Sequence, residues 1–263
     1  MMIDERKIEE IASQLLQAQN KVEAIPPLTE SYPTISIEDA YRIQFCLLEK
    51  RLKRGEKLIG WKVGATSKAV MEQLSFYEPI LGHLTDSSVY PAGTSIIPFE
   101  SLIQPGIEPE VAFRLKTSLR GPGVSSPMVS EAVEWVYPAV EIIDCRIKDW
   151  KVKIQDIISD NSLHRGILLG LGERSFRGED LADGKVTVEI NGQSVAVGSG
   201  REVLGNPIHV VAWLANKLAG FKTSLNQGDI IMTGSMTRFI LIGRGDAIKV
   251  SFNRLGLLEF SFK

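Results

Sequence analysis

The chain has 263 residues, of which 44% are hydrophobic and 24% are charged, and its formal net charge at pH 7 is −2. This composition is that of an ordinary folded protein, long enough for one large domain or for one domain with a helical appendage. The small net charge and the lack of a basic cluster with interleaved aromatic residues exclude nucleic acid and anionic membranes as expected partners.

The N-terminal sequence and the cysteine content predict a cytoplasmic protein. "MMIDERKIEE" is polar and acidic, so it has neither the apolar segment of a secretory signal nor the Arg-rich character of a transit peptide. No apolar run approaches the ~20 residues that span a bilayer. Cys46 and Cys145 are too few for a disulfide framework or a cysteine-rich zinc site, and both are expected to be reduced.

The first part of the chain is predicted to be helical. Residues 5 to 20 carry apolar side chains at helical spacing, and a polar, proline-containing link, "KVEAIPPLTESYPT", follows. Ser36 is a candidate N-cap, with Asp39 three residues later, for a helix that ends at Gly55. We therefore expect an N-terminal helical lobe over residues 1–57.

Short strands dominate the remainder, which we expect to form a β-rich catalytic domain over residues 58–263. They begin at "KLIGWKVGA", and "KVTVEINGQSVAVG" predicts a hairpin that turns at Asn191-Gly192. "DIIMTG", "AIKVSF" and "LLEFSF" follow, separated by turn sequences. Two helices interrupt them, one starting near Ser126 and carrying "MVSEAVEWV", the other capped by Asn206 and ending at Gly220. Because strands and long helices do not alternate, the pattern favours a mixed α+β fold with a curled or barrel-like sheet.

Two carboxylates, Glu108 and Glu110, lie in the predicted strand "GIEPEVAFRLK". Alternation places them on one face of the strand, so they belong either to a solvated polar face or to a pair that converges on a metal ion. Pro109 between them indicates the beginning of the strand or an edge.

Glu141 lies inside "VYPAVEIIDCRI", an apolar strand predicted to be buried on both faces. A charge there needs compensation, either from a salt bridge to Arg146 or Lys62, or from a cation shared with Glu108 and Glu110. We favour the cation. Three oxygen ligands without histidine or cysteine select a hard ion such as Mg²⁺ or Mn²⁺.

Lys62, in "LIGWKVGATS", either extends to the surface or points into a cleft beside the metal, where its ammonium could move a proton or stabilise an enolate. Thr66 is placed to cap a short helix whose N–H groups could hold a substrate carboxylate. In "IMTGSMT", Thr233, Gly234 and Ser235 suit carboxylate binding or an ordinary turn.

The polar segment "DCRIKDWKVKIQDIISDNSLHRG" is interpreted either as a solvated loop followed by a helix cap or as part of the site. Its carboxamides, Gln155 and Asn161, are substrate-binding candidates. Ser162 and His164 do not form a convincing hydrolase pair, because no nucleophile-elbow motif accompanies them.

Several segments, taken in order, resemble the 2-keto-4-pentenoate hydratase and 4-oxalocrotonate decarboxylase family within the fumarylacetoacetate hydrolase superfamily. They are "GWKVGATSKAV", "IQPGIEPEVAFRL", "YPAVEIIDCRIKDWKVKIQD", "SDNSLHRGILLG", "REVLGNPIHVVAWLANKL" and "GDIIMTGSMT". The resemblance extends from about the "YPTISIEDAYRIQ" helix to the C-terminus and depends on the combination of these segments.

The resemblance implies a mixed β-sheet roll with an N-terminal helical lobe. It also implies a divalent metal held by Glu108, Glu110 and Glu141, which the carboxylate and 2-oxygen of a 2-hydroxy-dienoate would chelate, with Lys62 assisting proton transfer. By the same analogy Asp160, Asn161 and Ser162 line the site.

Two positions depart from the hydratase pattern. Ile80, in "YEPILGHL", stands where hydratases usually carry Asp, which is more like the decarboxylases, as is "RGPG" at 120–123. Ser162, Leu163 and His164 replace a run of small residues, and His164 is a candidate for the missing acid or base. "RIKDWKVKIQD" is more similar to the hydratases.

The sequence therefore predicts a hydratase that converts a 2-hydroxy-2,4-dienoate into a 4-hydroxy-2-oxo acid in the meta-cleavage degradation of aromatic compounds. The alternatives are a vinylogous decarboxylase of the 4-oxalocrotonate type, an acylpyruvate-type C–C hydrolase, and a catalytically silent partner subunit. A homo-oligomer is expected, with a sister hydratase or decarboxylase as a further partner.

Overall fold

The computed structural model describes residues 3–174 and 181–263, which contain both helices and strands. The helices, numbered in chain order, are α1 (Glu5–Lys21), α2 (Leu28–Ser31), α3 (Ile37–Lys53), α4 (Lys68–Leu74), α5 (Ser126–Ala132), α6 (Ile154–Ser159) and α7 (Pro207–Gly220). The strands are β1 (Leu58–Gly64), β2 (Ile80–Thr85), β3 (Ile96–Ile97), β4 (Pro105–Leu115), β5 (Val133–Asp144), β6 (His164–Leu169), β7 (Lys185–Ile190), β8 (Gln193–Ser199), β9 (Ile230–Met232), β10 (Ile240–Leu241), β11 (Ala247–Phe252) and β12 (Gly256–Phe262).

The two long N-terminal helices begin at polar caps that the sequence encodes. The carboxylate of Asp4 accepts a hydrogen bond from the Lys7 N–H at the start of α1, at 2.9 Å. Ser36 and Asp39 form a reciprocal capping box at the start of α3, as predicted. Satisfying these otherwise unpaired N–H groups defines where each helix starts.

A curled seven-stranded sheet forms the centre of the molecule. Its order is β2-β1-β9-β4-β5-β6, with β10 also paired to β4, and only β1 and β9 run parallel. The turn that precedes β6 is tied to the other end strand, β2, by Asn161, whose carboxamide accepts a hydrogen bond from the His83 N–H at 2.8 Å and donates one to the His83 carbonyl at 3.0 Å. A bridge between Val89 and Ile167 adds a second link. The predicted α+β fold with a β-sheet roll is confirmed.

A second, five-stranded sheet has the order β3-β12-β11-β7-β8. The predicted hairpin is present, and Asn191 and Gly192 both have positive φ, 53° and 79°. Consecutive positive φ values define the tight turn that matches the twist of the paired strands.

The helical lobe packs directly on the central sheet. The side-chain amide of Gln44, fully buried in α3, donates to the carbonyls of Leu81 in β2 and Ile158 in α6, both at 2.8 Å. One continuous apolar core runs from α1 and α3 into β1 and β4. The boundary between residues 57 and 58 therefore remains a prediction.

The helix predicted to carry "MVSEAVEWV" is shorter than expected. α5 ends at Ala132, and the chain continues from Val133 as β5. Trp135 and Val136 pair with Arg114 and Phe113 of β4. Tertiary pairing of β-branched and aromatic residues prevails here over the helical spacing.

Pro109 lies in the middle of β4, so the prediction that it marks the beginning of the strand is wrong, whereas the alternative of an edge holds locally. On one side it pairs with Val140 of β5. On the other side, β9 covers only Ala112–Arg114 and β10 only Gly106–Ile107, and Pro109 sits in the gap between them. Its missing N–H is not needed there, while its carbonyl accepts a hydrogen bond from the Met236 N–H at 2.9 Å.

Within the described ranges, no helix is long and apolar enough to cross a membrane.

Replacing Gln44 by Leu should lower the free energy of unfolding by about 2–4 kcal/mol, because two buried carbonyls lose their donor. Urea unfolding measures the change. Gln17→Leu, at an exposed position of α1, is the matched control and should stay within about 0.5 kcal/mol of the wild type. Equal effects of the two substitutions would show that Gln44 does not tie the lobe to the sheet.

Candidate active site and metal centre

The long antiparallel pair β4 and β5 brings three carboxylates together. Glu108 lies directly opposite Glu141, and Glu110 lies one pleat further along β4 on the same face. One carboxylate oxygen from each lies within 4.8 Å of the others. Glu110 and Glu141 are fully buried and Glu108 is half-buried, so the alternative of a solvated polar face is wrong.

Lys62, from the neighbouring strand β1, is buried beside this cluster and does not extend to the surface. Its Nζ lies 3.1 Å from Glu141 Oε2, and it donates to the Ser162 carbonyl at 3.0 Å and to Ser162 Oγ at 3.3 Å. Of the two salt bridges considered for Glu141, the one to Lys62 is present, whereas Arg146 pairs with Asp160 at 2.6 Å.

One ammonium does not balance three buried carboxylates. Glu110 Oε2 accepts a hydrogen bond from the Gly234 N–H at 2.8 Å, but Glu110 Oε1 has no hydrogen-bond partner. A buried carboxylate oxygen without a donor is costly unless a cation completes it. An oxygen-only donor set with an unused oxygen fits a hard divalent cation.

The pKa values of the three carboxyl groups express this imbalance. Burial, with the charge of Glu141, raises the pKa of Glu108 to about 7, against the opposing effect of Lys62. Burial and the two neighbouring carboxylates raise the pKa of Glu110 well above its usual range. Burial by itself would raise the pKa of Glu141, but the effects of Lys62 and His164 together are larger and lower this pKa. Ionisation of Glu141 is therefore favoured, whereas ionisation of Glu108 and Glu110 is disfavoured until a cation compensates their charge.

His164 lies behind Glu141 and does not line the pocket. Its Nδ1 is 2.7 Å from Glu141 Oε1, and burial lowers the pKa of the imidazole. A neutral ring with Nδ1 protonated can donate this hydrogen bond. The contact orients a carboxylate of the cluster.

Asp160 and Asn161 also support the site from outside the pocket. Asp160 accepts hydrogen bonds from the Arg146 N–H and guanidinium, and Asn161 joins the ends of the central sheet as described above. The two residues that follow Asn161, Ser162 and Leu163, both line the pocket. Gln155, half-buried in α6, is not among the pocket-lining residues.

Three consecutive residues, Asn161, Ser162 and Leu163, have left-handed backbone conformations, with φ of 50°, 53° and 61°. For Ser162 and Leu163 this conformation costs about 1–2 kcal/mol each, whereas asparagine adopts it more readily. The turn delivers both the carbonyl and the hydroxyl of Ser162 to Lys62. All three residues are buried, so this end of the segment is not a solvated loop, whereas Lys148, Asp149, Lys151 and Lys153, earlier in the segment, are exposed as that interpretation expects.

The segment after β9 closes the other side of the cluster. Gly234 has φ of 98°, and a Cβ at this position would lie 2.3 Å from Thr66 Oγ1, so only glycine fits. Thr233 donates its hydroxyl to the Val111 carbonyl, while Thr66 and Ser235 line the pocket. Ser67, not Thr66, caps α4, by accepting a hydrogen bond from the Val70 N–H at 3.3 Å.

The pocket above the cluster has a volume of about 230 Å³. Lys62 and Glu108 are the charged residues that line it among those the structure describes. Its apolar wall consists of Val70, Leu74, Ile80, Ile143, Trp150, Val152, Ile157, Leu163 and Phe239. Sequence reasoning missed Trp150 and Phe239, although a tryptophan inside a polar segment was a usable signal.

Comparison with known proteins agrees with this architecture. Residues 61–263 match the family described as fumarylacetoacetate (FAA) hydrolase C-terminal. The chain is 45% identical over 219 residues to a 2-hydroxypent-2,4-dienoate hydratase of Pseudomonas putida, covering 83% of this chain and 99% of that one. It is 38% identical over 262 residues to a 2-hydroxyhexa-2,4-dienoate hydratase of Comamonas testosteroni, covering 99% of both.

A solved structure with the same fold is 4-oxalocrotonate decarboxylase from Pseudomonas putida G7, complexed with magnesium and adipate. The TM-score is 0.95 at 32% sequence identity, over 100% of this chain and 99% of the other. The fold and the carboxylate cluster thus define a protein of the fumarylacetoacetate hydrolase type. The chain belongs to the fumarylacetoacetate hydrolase family, among relatives that are named as hydratases and decarboxylases.

Replacing Glu110 by Gln should abolish the rise in Tm that millimolar Mg²⁺ or Mn²⁺ produces in the wild type, because the cluster loses one anionic ligand. The metal-free variant should melt no lower than the metal-free wild type, since the substitution removes an acidic group whose ionisation the buried cluster already disfavours. Glu131→Gln, at an exposed position of α5, should keep the full metal-induced shift. A shift that survives Glu110→Gln would contradict the proposed ligand set.

The raised pKa of Glu108 should make the metal-free protein less stable as pH rises from about 4.5 to about 7. In this window the folded state retains a proton that the unfolded state has released, so the free energy of unfolding falls with rising pH. Urea unfolding of the wild type and of Glu108→Gln, both with a chelator, isolates this contribution as the difference between their pH profiles. Parallel profiles would contradict it.

Proposed function

We propose that the protein is an Mg²⁺- or Mn²⁺-dependent hydratase that converts a monocarboxylic 2-hydroxy-2,4-dienoate into a 4-hydroxy-2-oxo acid. The observation that carries the proposal is a cluster of three carboxylates and Lys62 beneath an apolar pocket wall. The hydratases to which the chain is 45% and 38% identical support it, since both are named for substrates of this class.

Glu108, Glu110 and Glu141 would hold the metal, which when bound would supply Lewis-acid stabilisation of negative charge on substrate oxygen. Lys62 Nζ carries a proton and a positive charge in a desolvated position, because the three carboxylates raise its pKa against the effect of burial. A cation so placed stabilises an enolate oxygen or delivers a proton. Ser162 and Glu141 fix the direction in which Nζ points.

The overall change needs two proton movements and one new C–O bond. The 2-hydroxyl releases its proton and C5 gains one, which leaves a 2-oxo group conjugated with a C3–C4 double bond. The oxygen of water then adds to C4, and C3 takes up a proton. Thr66, Ser235 and Thr237 supply hydroxyl groups along the pocket that can orient the substrate carboxylate and the water.

The wall of the pocket favours the hydratase over the decarboxylase. A 2-oxo-enedioate brings a second carboxylate, and among the described lining residues Lys62, already paired with Glu141, is the cation that could meet it. An unpaired buried carboxylate costs several kcal/mol. Ile80 contributes to the same apolar wall, although an apolar residue at this position is more like the decarboxylases than the hydratases.

The proposal includes a cytoplasmic homo-oligomer, with a sister enzyme of the same pathway as a further partner. Val195 and Val197, on the end strand β8 of the five-stranded sheet, are 37% and 68% exposed, and an edge strand with exposed apolar side chains supports an association surface.

The test is to incubate the purified protein and Mg²⁺ with 2-hydroxypenta-2,4-dienoate or with 2-hydroxymuconate, following dienol absorbance and CO₂ release. We expect loss of the first substrate without CO₂. Release of CO₂ from the second alone would establish the decarboxylase instead. Lys62→Met should lower kcat for the preferred substrate about 10²–10⁴-fold, whereas Lys185→Met, at an exposed position of β7, should not change it. A fully active Lys62→Met would remove Lys62 from the reaction.

A further inference from the structure

Two aromatic side chains from distant parts of the chain stack against each other in the pocket wall. Trp150 lies between β5 and α6, and Phe239 directly precedes β10. Their ring centroids are 5.0 Å apart and the ring planes are inclined by 16°, and both side chains line the pocket. Phe239 is 40% exposed, a large fraction for an aromatic residue in a packed pair.

The backbone fixes the position of each ring in a different way. Ile240 and Leu241 pair with Ile107 and Gly106, the two residues that precede Glu108 in β4, and Phe239 comes directly before Ile240. Trp150 has φ of 54°. Bulky residues keep such a conformation only where the surrounding structure imposes it, and it often marks a functional position. The aromatic pair therefore has a defined position relative to the carboxylate cluster.

The chemistry of this wall differs sharply from that of the floor beneath it. Val70, Leu74 and Val152 extend the apolar surface around the two rings. Lys62 is the cationic lining residue among those described, and it is committed to Glu141 and Ser162. A hydrocarbon group against this wall gains from leaving water, whereas a carboxylate there loses its hydration without finding a partner.

We propose that Trp150 and Phe239 form an apolar subsite that binds the uncharged end of the substrate and discriminates against a second, terminal carboxylate. The proposal rests on the proposed function, because it assumes that the substrate's 2-oxo acid end occupies the carboxylate cluster. It adds the two residues that would select monocarboxylic over dicarboxylic substrates.

Equilibrium binding tests the subsite without depending on turnover. 2-Oxohexanoate and 2-oxohexanedioate have the same carbon chain and differ in the terminal carboxylate, and calorimetry in Mg²⁺ compares them. The wild type should bind the monocarboxylate at least tenfold more tightly. Phe239→Arg should bring the ratio to about one or invert it, because the guanidinium pairs with the second carboxylate. Phe239→Leu keeps the wall apolar and should retain the preference, as should Leu257→Ala on the other sheet.

Turnover supplies the second measurement. 2-Hydroxyhexa-2,4-dienoate carries one methyl group more than 2-hydroxypenta-2,4-dienoate. If that methyl group is buried against the wall, kcat/KM for the longer substrate should exceed that for the shorter one by about fourfold. Phe239→Ala should reduce this ratio towards one, and Leu257→Ala should leave it unchanged.

The two hypotheses fail in different ways. If the wild type binds both oxo acids equally, or if Phe239→Arg folds with the wild-type Tm and keeps the tenfold preference, the subsite is overturned. If the preference is present but none of the dienoates is consumed, the hydratase reaction is refuted while the subsite stands.

Discussion

The ion pair between Lys62 and Glu141 is the interaction on which the site depends. Glu141 faces Glu108 across two antiparallel strands, an arrangement that is unfavourable by itself. Lys62 and His164 compensate Glu141 from two directions, at 3.1 Å and 2.7 Å, and leave it ionised. Glu108 and Glu110 lack comparable partners. The protein thus gathers three acidic groups whose full ionisation requires a compensating cation, which is the electrostatic property that a metal-binding site needs.

The curled sheet makes this concentration of acidic groups structurally possible. The strands that carry Lys62 and the three glutamates are central, so the carboxylates are held on paired backbone and not on loops. The strained turn at Asn161–Leu163 serves two purposes. Asn161 joins the ends of the sheet, and Ser162, the next residue, turns towards Lys62. The strained backbone therefore lies in the turn that both links the ends of the sheet and positions Lys62.

The pocket separates two kinds of chemistry within about 230 Å³. Its floor carries Glu108, one member of the carboxylate cluster, and the ammonium of Lys62, which suit the polar end of a 2-oxo acid, while its wall is aliphatic and aromatic. Family membership alone is compatible with hydratases and decarboxylases, because both occur among the relatives. The difference between them lies in the wall, where substrates with one or two carboxylates encounter different solvation.

Local patterns in the sequence were sufficient for the capped helices, the Asn191-Gly192 hairpin and the α+β class, because caps and turns depend on neighbours within a few residues. A carboxylate in an apolar strand, Glu141, was sufficient to indicate a charged centre. The C-terminal end of α5 and the central position of Pro109 were not predictable, since they depend on which strands pair and where those pairings stop.

The sequence by itself thus determined the kind of chemistry, by placing carboxylates and a lysine in apolar strands. Only the tertiary structure decided that Lys62 pairs with Glu141 while Arg146 pairs with Asp160, that His164 lies behind the cluster, and that Trp150 meets Phe239. The physical reason is sequence separation. These contacts join residues far apart in the chain, and their distances are fixed by sheet curvature and strand register, which no local pattern encodes.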